Sequence, residues 1–196
     1  MSLIDFEKRL RDLMPSPNHR FIQKFQGTVF RNVKQRYATR GRIVSTDGSF
    51  GYINGRYHIM GEFAVLYLSG DLHSCIEEVI YYGSFAPSGV GGNLPRTFIG
   101  VKVEIEKVLD LTDSRILGMM GISTDILIKE WAFTTGVETQ IIGKIALEKG
   151  FEALKVPSAR WNGGYSLNLL DDNLQSKVVD LLSGGKVKVI NDRELP

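Results

Sequence analysis

The pattern of apolar and polar residues is most regular in the middle of the chain, where it predicts strands. Between Thr97 and Val108 apolar residues recur at every second position, which is typical of a strand with one buried and one solvated face. The residues on the apolar side are Ile99, Val101, Val103 and Ile105. Phe63–Leu68 is a nearly continuous apolar run and predicts a buried strand.

Two segments place their apolar residues at helical spacing instead. In Asp71–Tyr82 the apolar residues fall on one stripe, and Asp71 stands near the start, where an acidic residue favours a helix. Val137–Lys149 predicts a second helix, and Gly150 follows in the position that commonly ends one. The stripe of the first helix consists of Leu72, Cys75, Ile76, Val79 and Ile80.

The remaining elements are shorter and more irregular. Residues 1–20 read as an amphipathic helix and a loop, and Pro15 stops the helix. Residues 38–62 and 83–96 are rich in glycine and polar residues and predict irregular connections. Because strands and helices do not alternate regularly, the pattern indicates one α+β domain and not a doubly wound parallel sheet. The other predicted strands are Thr28–Lys34, Phe151–Val156, Tyr165–Leu170 and Lys186–Ile190.

Composition narrows the classes of function. The formal net charge is +2 and no long lysine or arginine run occurs, so binding to nucleic acid is not expected. No apolar run is long enough to span a bilayer, and the first residues are too highly charged for a signal peptide, so we expect no membrane contact and a cytoplasmic protein. Cys75 is the only cysteine, and the three histidines lack partners at ligand spacing, so neither a disulfide nor a metal site is expected.

A set of charged, aromatic and hydroxyl residues follows these elements along the chain. Taken singly, each has an ordinary explanation: Arg31 as a surface charge on a strand, Tyr67 as a core residue, Glu78 as a solvated helix residue, and Ser158 as part of a turn. In chain order the set is Phe30-Arg31, Gly55-Arg56-Tyr57, Tyr67, Glu77-Glu78-Val79 and Val156-Pro157-Ser158-Ala159-Arg160. Arg160 and Trp161 could also stack near such a site or serve the structure alone.

The order of these pieces resembles the RES domain, a family named for its Arg, Glu and Ser. The resemblance covers roughly residues 28–175. It implies a single α+β domain with an ADP-ribosyltransferase-like split sheet and flanking helices, in which residues 1–24 are an N-terminal helical extension and residues 25–196 the RES domain. One departure is that the family usually has Gly-Arg-Trp, whereas Tyr57 stands in the Trp position here.

The resemblance implies a binding site for NAD, which is a substrate, with no further cofactor. Arg31 and Arg56 would offer planar forks of donors to the pyrophosphate. Tyr67 would present its ring face to the nicotinamide or its hydroxyl to the nicotinamide amide, with Tyr57 as the neighbouring aromatic residue. Ser158 would hydrogen-bond a phosphate or the ribose.

The catalytic set implied by the resemblance is Glu78, Tyr67 and Arg56. Cleavage of the nicotinamide–ribose bond develops positive charge on the ribose, and a carboxylate stabilises that charge. Glu77 and Glu78 both lie off the apolar stripe at about equal angles, so periodicity does not choose between them. The family pattern has a valine directly after its glutamate, and this selects Glu78.

The implied function is that of an NAD-degrading toxin in a toxin–antitoxin system, either an NAD glycohydrolase or a phosphorylase. Two alternatives stay open at this point: a mono-ADP-ribosyltransferase that modifies a protein, and a catalytically silent module of the same fold that binds a partner. The implied partner is an antitoxin with a helix-turn-helix domain of the Xre type. The sequence leaves the acceptor of the ADP-ribose and the formation of a homodimer open.

Overall fold

The computed structural model describes residues 2–45, 54–84, 95–130, 135–170, 178–181 and 188–190. Its helices, apart from a short 3-10 turn at Gln35–Tyr37, are α1 (Leu3–Leu13), α2 (Arg40–Ile43), α3 (Leu72–Ser84), α4 (Ser114–Met120), α5 (Thr124–Ile128) and α6 (Glu138–Glu148). Its strands are β1 (Gln23–Lys34), β2 (Leu66–Ser69), β3 (Arg96–Asp110), β4 (Ala153–Pro157), β5 (Tyr165–Leu169), β6 (Val178–Leu181) and β7 (Lys188–Ile190).

Five of these strands close into a ring. β1 pairs antiparallel with β3 along almost its whole length, β3 pairs parallel with β4, β4 antiparallel with β5, and β5 antiparallel with β2. The ring is completed by β1 and β2, which share only the pair Phe30↔Ser69 and then diverge. β6 and β7 pair with β3 outside the ring. The α+β prediction is therefore confirmed, and the sheet opens between β1 and β2.

Alternate residues of the ring strands fill its interior. Val29, Leu68, Val101, Ala153 and Leu167 belong to this cluster and are at most 2% exposed. The alternation predicted for β3 is confirmed, because Ile99, Val101, Val103 and Ile105 are buried while Lys102, Glu104 and Glu106 are exposed.

A second core lies outside the ring, where helices cover β4. It unites α1, the turn around Tyr57, α4, α5 and α6 with Leu154 and Val156 of β4. The buried face of α1 is formed by Phe6 and Leu10, and Met14 follows it into the same cluster. Arg11 of α1 also forms an ion pair with Glu148 of α6. The N-terminal helix therefore packs into the largest core of the described chain.

Local chemistry explains where several elements begin and end. Ser2 caps α1 by accepting the backbone N–H of Asp5, and α1 ends at Leu13, two residues before Pro15. Asp71 caps α3 by accepting the backbone N–H of Ser74. Gly150, with a φ of 86°, follows α6 in the left-handed conformation, as its position in the sequence predicts.

The structure differs from the predicted elements in several places. β1 begins five residues before the predicted Thr28, and β2 begins only at Leu66, while Phe63, Ala64 and Val65 are buried ahead of the strand. The short helices α4 and α5 and the strand β6 have no counterpart in the sequence prediction. Most of the predicted 83–96 loop lies outside the described residues. Within the described ranges no helix combines the length and the apolar character that a membrane crossing requires.

Candidate active site

A cavity of about 500 Å³ opens where β1 and β2 diverge, a volume in the usual range for a small-molecule site. Its floor is formed by Tyr67 and Ser69 of β2 and by Ser166 and Asn168 of β5. These four residues share one face, since Tyr67 lies opposite Asn168 and Ser69 lies opposite Ser166 in the β2–β5 ladder. The walls come from α3, from the turn 54–58 and from the loop after β4.

Glu78 reaches the cavity from α3. Cys75, Glu78, Val79 and Tyr82 recur at the spacing of one helix face, and all four line the cavity. Glu77 does not line it, so the structure separates two residues that periodicity left equivalent. Burial raises the pKa of Glu78 to about 7, although the charges of Arg160 and Arg56 and a hydrogen bond from Ser166 act in the opposite direction.

The turn Gly55–His58 brings Tyr57 and Tyr67 together. The backbone N–H of Gly55 donates to the carbonyl of His58 across this turn. A Cβ on Gly55 would lie 2.1 Å from the His58 ring and 2.4 Å from the Tyr67 hydroxyl, so only glycine fits here. Gln140 of α6 fixes the turn from behind by donating to the carbonyl of Gly55.

The Tyr67 hydroxyl is occupied by the protein itself. It accepts the backbone N–H of Tyr57 at 3.1 Å and is hydrogen-bonded to Nδ1 of His58 at 2.9 Å. Burial raises its pKa, which keeps it protonated at neutral pH. Of the two roles that the sequence left open for Tyr67, the structure therefore leaves the ring face available to a ligand.

Tyr57 is a core residue that touches the cavity. Its side chain is 1% exposed and packs in the large core cluster. Burial raises the pKa of its hydroxyl, which has no hydrogen-bond partner among the described residues. Tyr57 thus fills a packed aromatic position, where the resemblance implies a tryptophan, and its hydroxyl oxygen is left without a hydrogen bond among the described residues.

Arg31 is a charged residue on an otherwise apolar strand face. Val29 and Val33 flank it at two-residue spacing and are buried, and burial lowers the pKa of Arg31 to about 10. Nη2 donates to the carbonyl of Ser45, whereas the buried Nη1 lacks a partner within the described structure. A desolvated guanidinium with an unused donor, bordering a cavity, is suited to hold an anion.

Two further arginines tie the segment 127–130 to the cavity wall. Nη1 of Arg56 donates to the carbonyls of Leu127 and Lys129, at 3.2 and 2.6 Å. Arg160 pairs with Glu130 at 2.8 Å, and its guanidinium lies over the ring of Tyr81. Because both side chains also border the cavity, the walls place positive charge on the same side as Glu78.

The RES domain model matches residues 29–187, which is most of the chain. The chain belongs to the RES domain family. A solved structure with the same fold is a chain of the M. tuberculosis MbcT–MbcA toxin–antitoxin complex, with a TM-score of 0.61 and 17% identity over 95% of this chain and 89% of that one. No curated protein matches the chain.

Ser158, which the resemblance assigns as the signature serine, lies beside the cavity and does not line it. Ser158 Oγ accepts the backbone N–H groups of Arg160 and Trp161, at 3.2 and 3.1 Å, which is the arrangement of a serine that shapes a turn. It borders a smaller depression next to the cavity. Ser166, eight residues later, lines the cavity and hydrogen-bonds Glu78.

Sequence reasoning did not single out Ser166, Asn168, His58 or Arg96, all of which line the cavity of this RES domain. A signal for two of them was present, because Ser166 and Asn168 alternate with the buried Leu167 and Leu169 in a strand. Arg160 and Trp161 do not stack on each other: Trp161 stacks on His73, and Arg160 lies on Tyr81.

Cys75 also borders the cavity, but its chemistry is that of a packed thiol. The side chain is fully buried, and burial raises its pKa to about 12, so it is protonated at neutral pH. In the part of the chain that the structure describes, no group of three or more His, Cys, Asp or Glu side chains is arranged to bind a metal.

Proposed function

We propose that this RES domain protein cleaves the nicotinamide–ribose bond of NAD and acts as the toxin of a toxin–antitoxin pair. The observation that carries the proposal is Glu78, a desolvated carboxylate in a cavity whose lining also supplies Tyr67, Arg31, Arg56 and Arg160. A cationic nicotinamide ring, a pyrophosphate and a ribose each find a complementary group there.

In the bound state, each charged part of NAD lies near a residue of opposite charge: the pyrophosphate near Arg31, and the pyridinium ring near Glu78. The unpartnered Nη1 of Arg31 donates to a pyrophosphate oxygen, which removes an unsatisfied buried donor. The pyridinium ring lies on the face of Tyr67, whose hydroxyl is already hydrogen-bonded. Because NAD brings its positive charge next to Glu78, binding favours the ionised carboxylate.

In the chemical step the bond between ribose C1′ and the pyridinium nitrogen breaks, and its electron pair neutralises the nitrogen. Positive charge develops on the ribose, and ionised Glu78 stabilises it while accepting a hydrogen bond from a ribose hydroxyl. Ser166, which bonds Glu78, orients the carboxylate. An oxygen of the acceptor then bonds C1′ and loses its proton to Glu78 or to solvent.

The toxin part of the proposal rests on family membership and on the likeness in fold to a chain of a toxin–antitoxin complex. An enzyme that removes cellular NAD needs an inhibitor in the cell that makes it. We therefore expect a cognate antitoxin of the Xre type that covers the cavity mouth.

The experiment is nicotinamide release from NAD by the purified protein, compared between Glu78→Gln and Glu77→Gln. Gln keeps the size of the side chain but removes the charge that faces the developing cation. We expect Glu78→Gln to lower turnover about a hundred- to a thousandfold, and to lower the NAD affinity measured by calorimetry by a much smaller factor.

Glu77→Gln is the matched control, since Glu77 is adjacent on the same helix but does not line the cavity. It should retain wild-type turnover. Equal activity of both variants would exclude a carboxylate of α3 from the chemistry. A wild-type protein that releases no nicotinamide but binds a partner tightly would instead support the silent binding module. The products identify the acceptor of the ADP-ribose. Free ADP-ribose indicates water, the phosphate ester of ADP-ribose indicates phosphate, and ADP-ribose attached to a protein indicates a transferase.

A further inference from the structure

Asn168 is the least satisfied polar side chain of the cavity floor. It is 1% exposed, and neither its Nδ2 nor its Oδ1 has a hydrogen-bond partner among the described residues. Leaving buried polar atoms unpaired costs about 1–3 kcal/mol for each group, so native proteins rarely do so without a reason. A ligand that supplies both an acceptor and a donor would satisfy both atoms.

The position of Asn168 relative to Tyr67 narrows the chemistry of that ligand. The two residues are directly opposite in the β2–β5 ladder, so their side chains project from the same face as neighbours. The Tyr67 hydroxyl already hydrogen-bonds the Tyr57 backbone and His58, whereas both polar atoms of Asn168 are unused. Asn168 is therefore the residue that meets a polar substituent at the edge of a ring that stacks on Tyr67.

The spacing of Ser166 and Asn168 along β5 fits the same picture. Ser166, which hydrogen-bonds Glu78, is two residues before Asn168 on β5, and both point to the cavity. Two residues along a strand span roughly 7 Å. A planar ring that lies on Tyr67 can therefore present one end to Glu78 and the other to Asn168.

We infer that Asn168 forms a subsite for a primary carboxamide, with Nδ2 donating to the carboxamide oxygen and Oδ1 accepting from its NH₂ group. The inference rests on the proposed function and deepens it, because the carboxamide is that of the nicotinamide ring. A carboxylate in the same place offers no donor to Oδ1. The site thus selects NAD over its deamidated analogue, nicotinic acid adenine dinucleotide.

The test compares base release from NAD and from nicotinic acid adenine dinucleotide by wild type and by Asn168→Leu. Leucine has a similar shape and no polar atoms, so it removes the hydrogen bonds without leaving a buried group unpaired. Wild type should prefer NAD in kcat/KM by about a hundredfold or more. In Asn168→Leu we expect kcat/KM for NAD to fall about tenfold or more, because two hydrogen bonds to the carboxamide are lost, and the Tm to rise.

Thr97→Val is the matched control, because Thr97 Oγ1 is also buried without a partner in the described chain but lies outside the cavity lining. It should gain stability and keep the wild-type preference for NAD. An Asn168→Leu protein that is folded and keeps the wild-type kcat/KM for NAD would overturn the inference. So would a wild-type protein without a preference.

A failure of the proposed function gives a different result. If wild type releases base from neither dinucleotide, titration with free nicotinamide and free nicotinic acid, followed by NMR, tests the subsite alone. Binding of nicotinamide to wild type but not to Asn168→Leu would support the carboxamide subsite without the reaction. Equal binding of both compounds by both proteins would overturn it.

Discussion

At the scale of single residues, burial sets the chemistry of the cavity. It raises the pKa of Glu78 to about 7 and lowers that of Arg31 to about 10, so the charged form of each group is less stable than it would be in water, although Arg31 keeps its charge at neutral pH. A dinucleotide with a pyridinium cation and a pyrophosphate reverses both effects by bringing the opposite charge to each. The charges of such a ligand would therefore offset the cost of keeping Glu78 and Arg31 charged in a buried site.

The pH dependence of the reaction follows from Glu78. In the proposed reaction the ionised form of Glu78 stabilises the ribosyl cation, and kcat/KM reports the ionisation of the free enzyme. We expect kcat/KM for NAD to be constant above about pH 8 and to fall about tenfold per pH unit below pH 7. Initial rates of nicotinamide release between pH 5 and 9 measure this profile. A profile that is flat down to pH 5 would contradict the assignment.

The stability of the protein should depend on the same group. Folded Glu78 keeps its proton up to about pH 7, whereas the unfolded chain releases it near the ordinary value of 4.5. The unfolded state thus binds fewer protons between these values, and the contribution of Glu78 to stability falls as the pH rises from 4.5 to 7. Glu78→Gln cannot ionise, so at pH 8 it should be more stable than wild type by about 1–3 kcal/mol. Urea unfolding at pH 8 and pH 4.5 checks this, and the difference should vanish at the lower pH.

At the scale of elements, α6 holds the Gly55–His58 turn in place. Gln140 donates to Gly55, and one turn further along α6 a Cβ on Gly143 would lie 2.0 Å from the carbonyl oxygen of Tyr57. The helix and the turn that carries Arg56 and Tyr57 are therefore in direct backbone contact. The position of these two residues depends on a helix that contributes no side chain to the cavity lining.

Gly143→Ala tests this contact because two effects oppose each other. Alanine in a helix interior normally gains about 1 kcal/mol over glycine, but here its methyl group meets the backbone of Tyr57. We expect Gly143→Ala to lower the free energy of unfolding and to reduce turnover by displacing the turn. Gly118→Ala in α4 is the control, since nothing lies within 4 Å of that Cβ, and it should stabilise the protein. Thermal unfolding of both variants measures whether each substitution raises or lowers stability.

The elements also show what the sequence could and could not predict. Long periodic segments such as β3 and α6 were predicted to within one or two residues, because burial of one face fixes their pattern. α4 and α5 have seven and five residues, too few to establish a helical period. Glu78 and Ser166 line the cavity, whereas Ser158 does not. Which of these residues reach it depends on strand register and on the rotation of α3 against the sheet, and no local sequence pattern encodes either.

At the scale of the whole molecule, α1 belongs to the core that also holds Tyr57. Leu10 is 1% exposed and packs in the same cluster as Tyr57, Leu154 and Ile142. Truncation of Leu10 should therefore lower the stability of the domain and loosen the packing of Tyr57, which borders the cavity. A helix that the sequence suggests is an extension takes part in the packing of the family domain.

Leu10→Ala should lower the free energy of unfolding by about 2–5 kcal/mol, because a buried leucine leaves a cavity that the surroundings fill only partly. Ile4→Ala is the control on the same helix, since Ile4 is 80% exposed, and it should change stability by less than about 0.5 kcal/mol. Equilibrium unfolding in urea measures both. Equal stability of the two variants would show that α1 does not support the core.

The closed ring of strands also determines when, during synthesis, the protein can acquire its activity. The floor of the cavity needs β2 and β5, which are separated by about half of the chain, and the ribosome delivers β5 only after α1 through β4. A nascent chain that ends before Tyr165 contains Glu78 but lacks Ser166 and Asn168. Under the proposed function, such a nascent chain lacks half of the cavity floor, so we expect it to release no nicotinamide from NAD until β5 has been made.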